Sequence, residues 1–271
     1  MPFIPIRDID IYFELEGRGP RLLCISGTNG DLRRSPSIFE TPLGRHFEIL
    51  AYDQRGLGRT SRPDIPYSIF DYAADADALL QALGWDRCSV LGISFGGMVA
   101  QELALNFPQR VDRLVLACTS SGGRGGASYP LHELTDLVLD EYIRRTLYLS
   151  DTRRDADWQA ANPDQFQNLF ELVRAALAIG ANEPGRQIGQ KRQLEARVTH
   201  DTYDRLPTLD FPVLICGGLY DGIAPPDNLK ALHKQIKRSR LELFEGGHLF
   251  FLQDPRAFES IKDFLLEELN T

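Results

Sequence analysis

The stretch Ser89-Val90-Leu91-Gly92-Ile93-Ser94-Phe95-Gly96-Gly97-Met98 leaves this chain few ways to fold. It joins an apolar, β-compatible segment, Ser89–Ile93, to a segment with helical spacing (Val99, Leu103, Phe107) that stops at Pro108. The join reads Gly92-x-Ser94-x-Gly96, a turn too tight for bulky neighbours around its central serine. Such a turn lifts the hydroxyl clear of a sheet and aims backbone N–H groups at whatever the hydroxyl attacks. The five-residue pattern acquires meaning from its flanks, and both flanks fit. Ser94 is therefore a candidate nucleophile, and the rest of the chain must supply a base, an acid and oxyanion donors.

The surrounding segments alternate between strand and helix. Ile9–Glu16 places Ile9, Ile11, Phe13 and Leu15 against polar partners, which predicts a half-exposed edge strand. Arg21–Ser26 and Glu48–Asp53 are apolar runs that predict buried strands. The first opens into Gly27-Thr28-Asn29-Gly30, the second into Asp53-Gln54-Arg55-Gly56-Leu57-Gly58-Arg59-Thr60-Ser61. Asp71 can cap a helix with Tyr72, Ala76, Leu79, Leu80 and Leu83 on one face and Gly84 as its stop. Arg113–Ser120 is the next buried strand. This rhythm predicts an α/β fold with a mostly parallel sheet and helices on both faces.

At Gly122-Gly123-Arg124-Gly125-Gly126 the rhythm breaks, and residues 123–200 carry helical patterns without a convincing strand. Predicted helices cover Leu131–Leu149, a segment from Asn162 and Pro163 to Gly180, and Pro184–Val198. The glycine run lacks the Gly-Lys-Ser/Thr ending of a phosphate loop, so it reads as a hinge. Residues 1–122 and 201–271 thus form the expected core, and 123–200 a helical lid. The core resumes with a strand at Pro212–Cys216, a short helix after Pro225 and Pro226, and a strand at Arg240–Phe244. The terminal helix follows Asp254 and Pro255, with Phe258, Ile261, Phe264, Leu265 and Leu269 inward.

With 271 residues, 43% of them hydrophobic, the chain can bury one large core with an insertion. A net charge of −8 argues against nucleic acid or an anionic membrane as partner. No apolar run reaches the roughly 18 residues that a spanning helix needs, and Met1-Pro2-Phe3-Ile4-Pro5 does not resemble a signal peptide. Cys24, Cys88, Cys118 and Cys216 lie in or beside predicted strands without metal-ligand spacing, which suits free thiols in the cytoplasm. No metal or cofactor is expected. The partner is a small-molecule substrate, and oligomeric state has no readable signal.

A serine hydroxyl needs a base, usually histidine, whose other ring nitrogen is held by an acceptor. Of five histidines, His46 precedes a strand, His132 lies in the lid, His200 at its exit, and His233 on the inner side of a short helix. His248, in Gly246-Gly247-His248, follows the last strand. Parallel strands all exit at one edge, so His248 emerges on the Ser94 side and is the expected base. Asp221, in Gly217-Gly218-Leu219-Tyr220-Asp221, also follows a strand and is the expected acid. Asp53 ends a strand too, but its turn context points to binding of backbone N–H groups. The first oxyanion donor is the Phe95 N–H, at a helix N-terminus. The second is placed at Thr28, with Gly27 and Asn29 as neighbouring alternates that line the substrate.

Outside the lid, the chain resembles the α/β-hydrolase fold superfamily of esterase, enol-lactonase and C–C hydrolase type. Five stretches carry the resemblance: the Gly27 loop, Asp53–Ser61, Gly92–Gly97, Gly217–Asp221 and Gly246-Gly247-His248. The chain order Ser94, Asp221, His248 is that of this superfamily. Many relatives have His-Gly where this chain has Ser26-Gly27; the enol-lactone hydrolase branch departs there as well, which tilts the resemblance toward ester or lactone chemistry. Relatives with dehalogenase or epoxide hydrolase activity carry aspartate at the position of Ser94. The resemblance therefore implies serine-dependent cleavage of a small carboxylic ester or lactone. The alternatives are C–C hydrolysis of a vinylogous diketone acid and, from another class, a non-catalytic ligand-binding protein on the same scaffold. The paired arginines, including Arg33 and Arg34 beyond the oxyanion loop, could receive an acidic substrate, although solvated faces are the plainer reading. Trp158, Phe166, Phe170 and Phe39 could line an apolar pocket, although for the lid aromatics packing between lid helices is the plainer reading.

Overall fold

Eight strands form one sheet in the order β1-β2-β4-β3-β5-β6-β7-β8 in the computed structural model, which describes residues 2–267. They are β1 (Phe3–Ile6), β2 (Ile9–Gly17), β3 (Arg21–Ile25), β4 (Glu48–Tyr52), β5 (Cys88–Ile93), β6 (Val111–Ala117), β7 (Val213–Gly218) and β8 (Ser239–Phe244). The pairs β1–β2 and β2–β4 are antiparallel and every other pair is parallel. The central strands are apolar on both faces because helices cover both. Leu23, Val90 and Leu116 pack against α1 (Ile69–Ala82) and α2 (Phe95–Asn106). Leu22, Leu91 and Val115 pack toward the terminal helix.

Several local expectations are corrected. Phe3–Ile6 is a strand despite Pro2 and Pro5, because it lies at the sheet edge, where a missing N–H costs no ladder bond. The Ile9–Gly17 strand is consequently not the edge. The cap of α1 is Ser68, whose side chain accepts from the Asp71 N–H while Asp71 returns a bond to the Ser68 N–H. Asp71 is therefore the third residue of a capping box. His233 is exposed and bonded to Ser239.

Within 123–200 the elements are α3 (Leu139–Ser150), α4 (Ala156–Ala161), α5 (Pro163–Ala178) and α6 (Arg186–Val198), with single 3-10 turns before them. The predicted Leu131–Leu149 helix is broken before Leu139. The break lets Leu134 turn back onto Leu149 and Ile223, a tertiary contact that periodicity does not carry. Phe166 and Phe170 of α5 pack on Ile143 and Leu147 of α3. The remaining helices are α7 (Pro226–Gln235), α8 (Phe250–Gln253) and α9 (Arg256–Leu266). Phe258, Ile261, Phe264 and Leu265 are buried as expected, and Leu269 lies outside the described residues.

The helix after Ser94 can approach β3 only because Gly96 has no side chain. A β-carbon there would fall on the Ile25 carbonyl oxygen and lie 2.6 Å from that of Ser26. Neither is a flexible side chain that could yield, so Gly96→Ala must push α2 off the sheet. The expected loss is about 2–4 kcal/mol, read as a fall in melting temperature of several degrees. A melting temperature equal to that of the parent would contradict this packing argument.

Candidate active site

Ser94 sits between β5 and α2 with φ 55° and ψ −116°, a conformation that L-residues rarely adopt. Three bonds hold it there. Its N–H donates to the Ala117 carbonyl at 2.8 Å, and its carbonyl accepts from Gly97 N–H at 2.9 Å and Thr119 Oγ1 at 2.8 Å. The strained backbone is thus pinned by neighbouring strand and helix, as a sharp strand-to-helix turn requires.

The structure brings Ser94, His248 and Asp221 together. His248 Nε2 lies 2.9 Å from Ser94 Oγ, and Nδ1 lies 2.7 Å from Asp221 Oδ2. Asp221 Oδ1 accepts from the N–H groups of Ile223 at 2.7 Å and Ala224 at 2.9 Å, so the carboxylate is held at both oxygens. Because a carboxylate only accepts, Nδ1 carries the ring proton and Nε2 is left to accept from the serine hydroxyl. The 123–200 segment secures both loops. The carbonyls at the end of α3 accept from His248 N–H (Ser150, 2.6 Å) and Gly222 N–H (Leu149, 2.9 Å).

Phe95 is the first residue of α2, where an N–H has no intrahelical acceptor. The Gly27 loop lies directly against Ser94; a β-carbon on Gly27 would stand 3.3 Å from that of Ser94 and 3.9 Å from its hydroxyl. The Asn29 N–H is occupied, donating at 2.8 Å to Gln193 Oε1 on α6. No acceptor among the described residues takes the Thr28 N–H. The loop is braced by Gln54, fully buried, whose Nε2 donates to the Ser26 carbonyl at 2.8 Å. Asp53 accepts from the N–H groups of Leu32 at 2.7 Å and Arg59 at 2.9 Å, the backbone role expected of it. Burial raises its pKa. Arg55 is buried between Asp8 and Asp75, which ties this loop to α1 and the first hairpin.

A chamber of about 340 Å³ adjoins these residues. Its wall includes Gly27, which touches Ser94; Ile93, which precedes it; and Leu249, which follows His248. Neither Ser94 nor His248 lines it. The chamber runs along the sheet face toward Leu91, Phe258 and Ile261 and is mostly apolar. Arg34 stands in this wall, and its Nε and Nη2 are buried without a partner. Burial, with nearby Arg186 adding to it, lowers its pKa. Arg33, by contrast, is neutralised by Asp31 and by Glu183, which precedes α6.

All four cysteines are free and buried, and burial pushes their thiols up, Cys88 to about 12. Among the described residues no cluster of histidine, cysteine and carboxylate could hold a metal ion, and no helix is long and apolar enough to cross a membrane.

The family model of the alpha/beta hydrolase fold matches residues 20–255. The chain belongs to the alpha/beta hydrolase fold family. It is 28% identical to 3-oxoadipate enol-lactonase 2 of Acinetobacter baylyi over 260 residues, covering 90% of this chain and 92% of that protein. Among solved structures it resembles the enol-lactonase of Burkholderia xenovorans, with a TM-score of 0.79 at 21% identity, covering 98% of this chain and all of that one. A meta-cleavage product hydrolase from Pseudomonas fluorescens has the same fold, with a TM-score of 0.76 at 21% identity and coverage of 97% and 96%.

In this alpha/beta hydrolase, two residues beside the site escaped sequence reasoning. Gln54 sits inside a stretch already singled out, and its position directly after a strand end was the available signal. Gln193 reaches the Gly27 loop from the polar helix α6, 164 residues along the chain, and nothing local marks it.

Proposed function

We propose that this enzyme hydrolyses a small carboxylic ester or lactone through an acyl-enzyme on Ser94. The observation that carries the reading is the continuous hydrogen-bonded line from Ser94 through His248 to Asp221. In this reading Ser94 Oγ attacks the carbonyl as His248 Nε2 takes its proton. The Phe95 and Thr28 N–H groups hold the oxyanion, with Gly27 and Asn29 shaping the loop beside it. His248 passes the proton to the leaving oxygen, then deprotonates the water that releases the acid. Asp221 keeps the proton on Nδ1 throughout. Residues 123–200 act as the lid over the site. The enol-lactonase relative supports the choice of bond, and the free buried thiols suit a cytoplasmic location.

With p-nitrophenyl acetate, a burst of about one p-nitrophenolate per active site is expected, with an acetyl mass increment on the Ser94 peptide after acid quench. Acylation of a different residue would overturn the assignment.

Arg34 gives weight to a second reading, C–C hydrolysis of a vinylogous diketone acid. A desolvated guanidinium with no direct ion pair favours a substrate that brings a carboxylate, whichever bond is cut. Assaying ring-cleavage products beside simple esters separates the two. In either case Arg34→Gln is expected to lower the kcat/KM preference for an anionic over a matched neutral ester by about tenfold, or ~1.4 kcal/mol. An unchanged ratio would remove Arg34 from substrate binding.

A further inference from the structure

The buried positions of α6 are Arg186, Gly189, Gln193 and Ala196, spaced by three and four residues and therefore on one side of the helix. Ala196 joins the main core with residues of the sheet, α1 and α2. The apolar cluster that unites α3, α4 and α5 contains no residue of α6. The rest of the inward face is polar or bare backbone, and it is turned toward the Gly27 loop and the Asp53–Ser61 stretch.

Three contacts fix the helix there. Arg186 Nη1 lies 3.7 Å from Asp31 Oδ2. At Gly189 two backbones touch: a β-carbon on Gly189 would fall on the Gly56 carbonyl oxygen, and one on Gly56 would stand 3.0 Å from the Gly189 α-carbon. No flexible side chain lies between them to yield, so the height and rotation of α6 are set at this point. One turn further on, the fully buried Gln193 accepts the Asn29 N–H on Oε1 at 2.8 Å.

Gln193 grips the strained point of the loop. Gly30 N–H donates to the Gly27 carbonyl at 3.1 Å and closes a turn over Gly27-Thr28-Asn29-Gly30. Asn29 is the third residue of this turn and has φ 57°, in the left-handed region. A positive φ there is the type II arrangement; the commoner type I turn has a negative φ at the same place. The two differ by rotation of the central peptide, here Thr28–Asn29, which reverses the direction of the Asn29 N–H. The bond to Gln193 therefore exists only in the left-handed form and offsets its strain. On the other side of Thr28, Gln54 holds the Ser26 carbonyl.

We infer that Gln193 is a positioning residue for hydrolysis: it locks the Thr28–Asn29 peptide from α6 and so keeps the adjoining Thr28 N–H aimed at the oxyanion. The inference rests on the reading above in which Thr28 is the second donor. A donor moved by a fraction of an ångström loses its grip on the transition state while the bound substrate is little affected, so the effect belongs in kcat. The acceptor oxygen is the working atom of the amide, since Nε2 is buried without a partner among the described residues.

The test compares three substitutions at Gln193 by turnover of p-nitrophenyl acetate and by hydrogen exchange at the Asn29 amide. Gln193→Met keeps the length and removes the acceptor; kcat is expected to fall about tenfold with KM changed less than about twofold, and the Asn29 amide to exchange about tenfold faster. Gln193→Asn withdraws the oxygen by one methylene and should repeat both effects, which keeps the test open if the methionine variant folds poorly. Gln193→Glu offers an oxygen acceptor whether ionised or protonated, and should return kcat to within about threefold of wild type and restore the amide protection. A merely structural role predicts another order, with losses that follow the melting temperature and the buried carboxylate worst of the three. That order overturns the proposal, as does wild-type turnover by the methionine or the asparagine variant. If wild type shows the Ser94 burst and the variants match it, Gln193 alone is removed; if wild type shows no burst, the acyl-enzyme reading falls and the inference with it.

Discussion

Replacing Ser94 by alanine is expected to lower kcat for short-chain p-nitrophenyl esters by about 10⁵-fold, with the melting temperature little changed. The size follows from the proposed covalent route. Without the hydroxyl there is no acyl-enzyme, and the oxyanion donors and substrate binding can assist only direct attack by water. The small effect on stability follows from the turn. Ser94 is held by its backbone, through Ala117, Gly97 and Thr119, and alanine keeps all three bonds. Glycine offers a companion experiment. The φ of 55° at Ser94 is strained for an L-residue and relaxed for glycine, so Ser94→Gly should be as inactive as Ser94→Ala yet more stable by about 1 kcal/mol. Ester turnover that survives Ser94→Ala would sink the nucleophile assignment. Loss of the fold in the alanine variant would contradict the backbone account of the turn.

Asp221→Asn is expected to reduce kcat by about 10⁴-fold with little change in KM. The reason is the direction of hydrogen bonds. Asp221 Oδ1 receives two backbone N–H groups, from Ile223 and Ala224. An asparagine must keep its carbonyl oxygen there, because an NH₂ facing two N–H donors would leave all of them unpaired. Its NH₂ then points at His248 Nδ1 and donates to it. The ring proton moves to Nε2, and Nε2 can no longer accept from Ser94 Oγ. The geometry survives while the tautomer is wrong, so substrate binding persists and turnover falls. Asp221→Ala separates orientation from charge by removing both, and it should also release the two N–H groups of the acid loop. Near-normal turnover by Asp221→Asn would place the acid elsewhere.

The legible part of this protein has a common physical origin. Parallel strands deliver their C-terminal loops to one edge, so short strands followed by Ser94, Asp221 and His248 could be placed near one another before any contact was known. Asp53 also follows a strand, and only its turn context, suited to backbone donors, separated it from Asp221. Local signals were less secure wherever a tertiary contact outweighed them. Ser68 and not Asp71 caps α1, although both residue types suit a cap. Two prolines hid an edge strand. The Leu131–Leu149 periodicity ran through a break made by packing against Ile223.

The line of side chains Ser94, His248 and Asp221, the α/β alternation and the glycines crowding the turn were all determined by sequence, because each depends on chain order or on a local steric demand. The tertiary structure alone decided what surrounds that line. It put Arg34 in the wall of the chamber while pairing adjacent Arg33 with Asp31 and Glu183, and it brought Gln193 across 164 residues to the Asn29 N–H. It also gave Arg197 a neutral acceptor, Ser128 Oγ, where Arg55 meets two carboxylates. These outcomes depend on which distant carboxylate or amide arrives beside a given side chain, and residue spacing along the chain carries no record of that arrival.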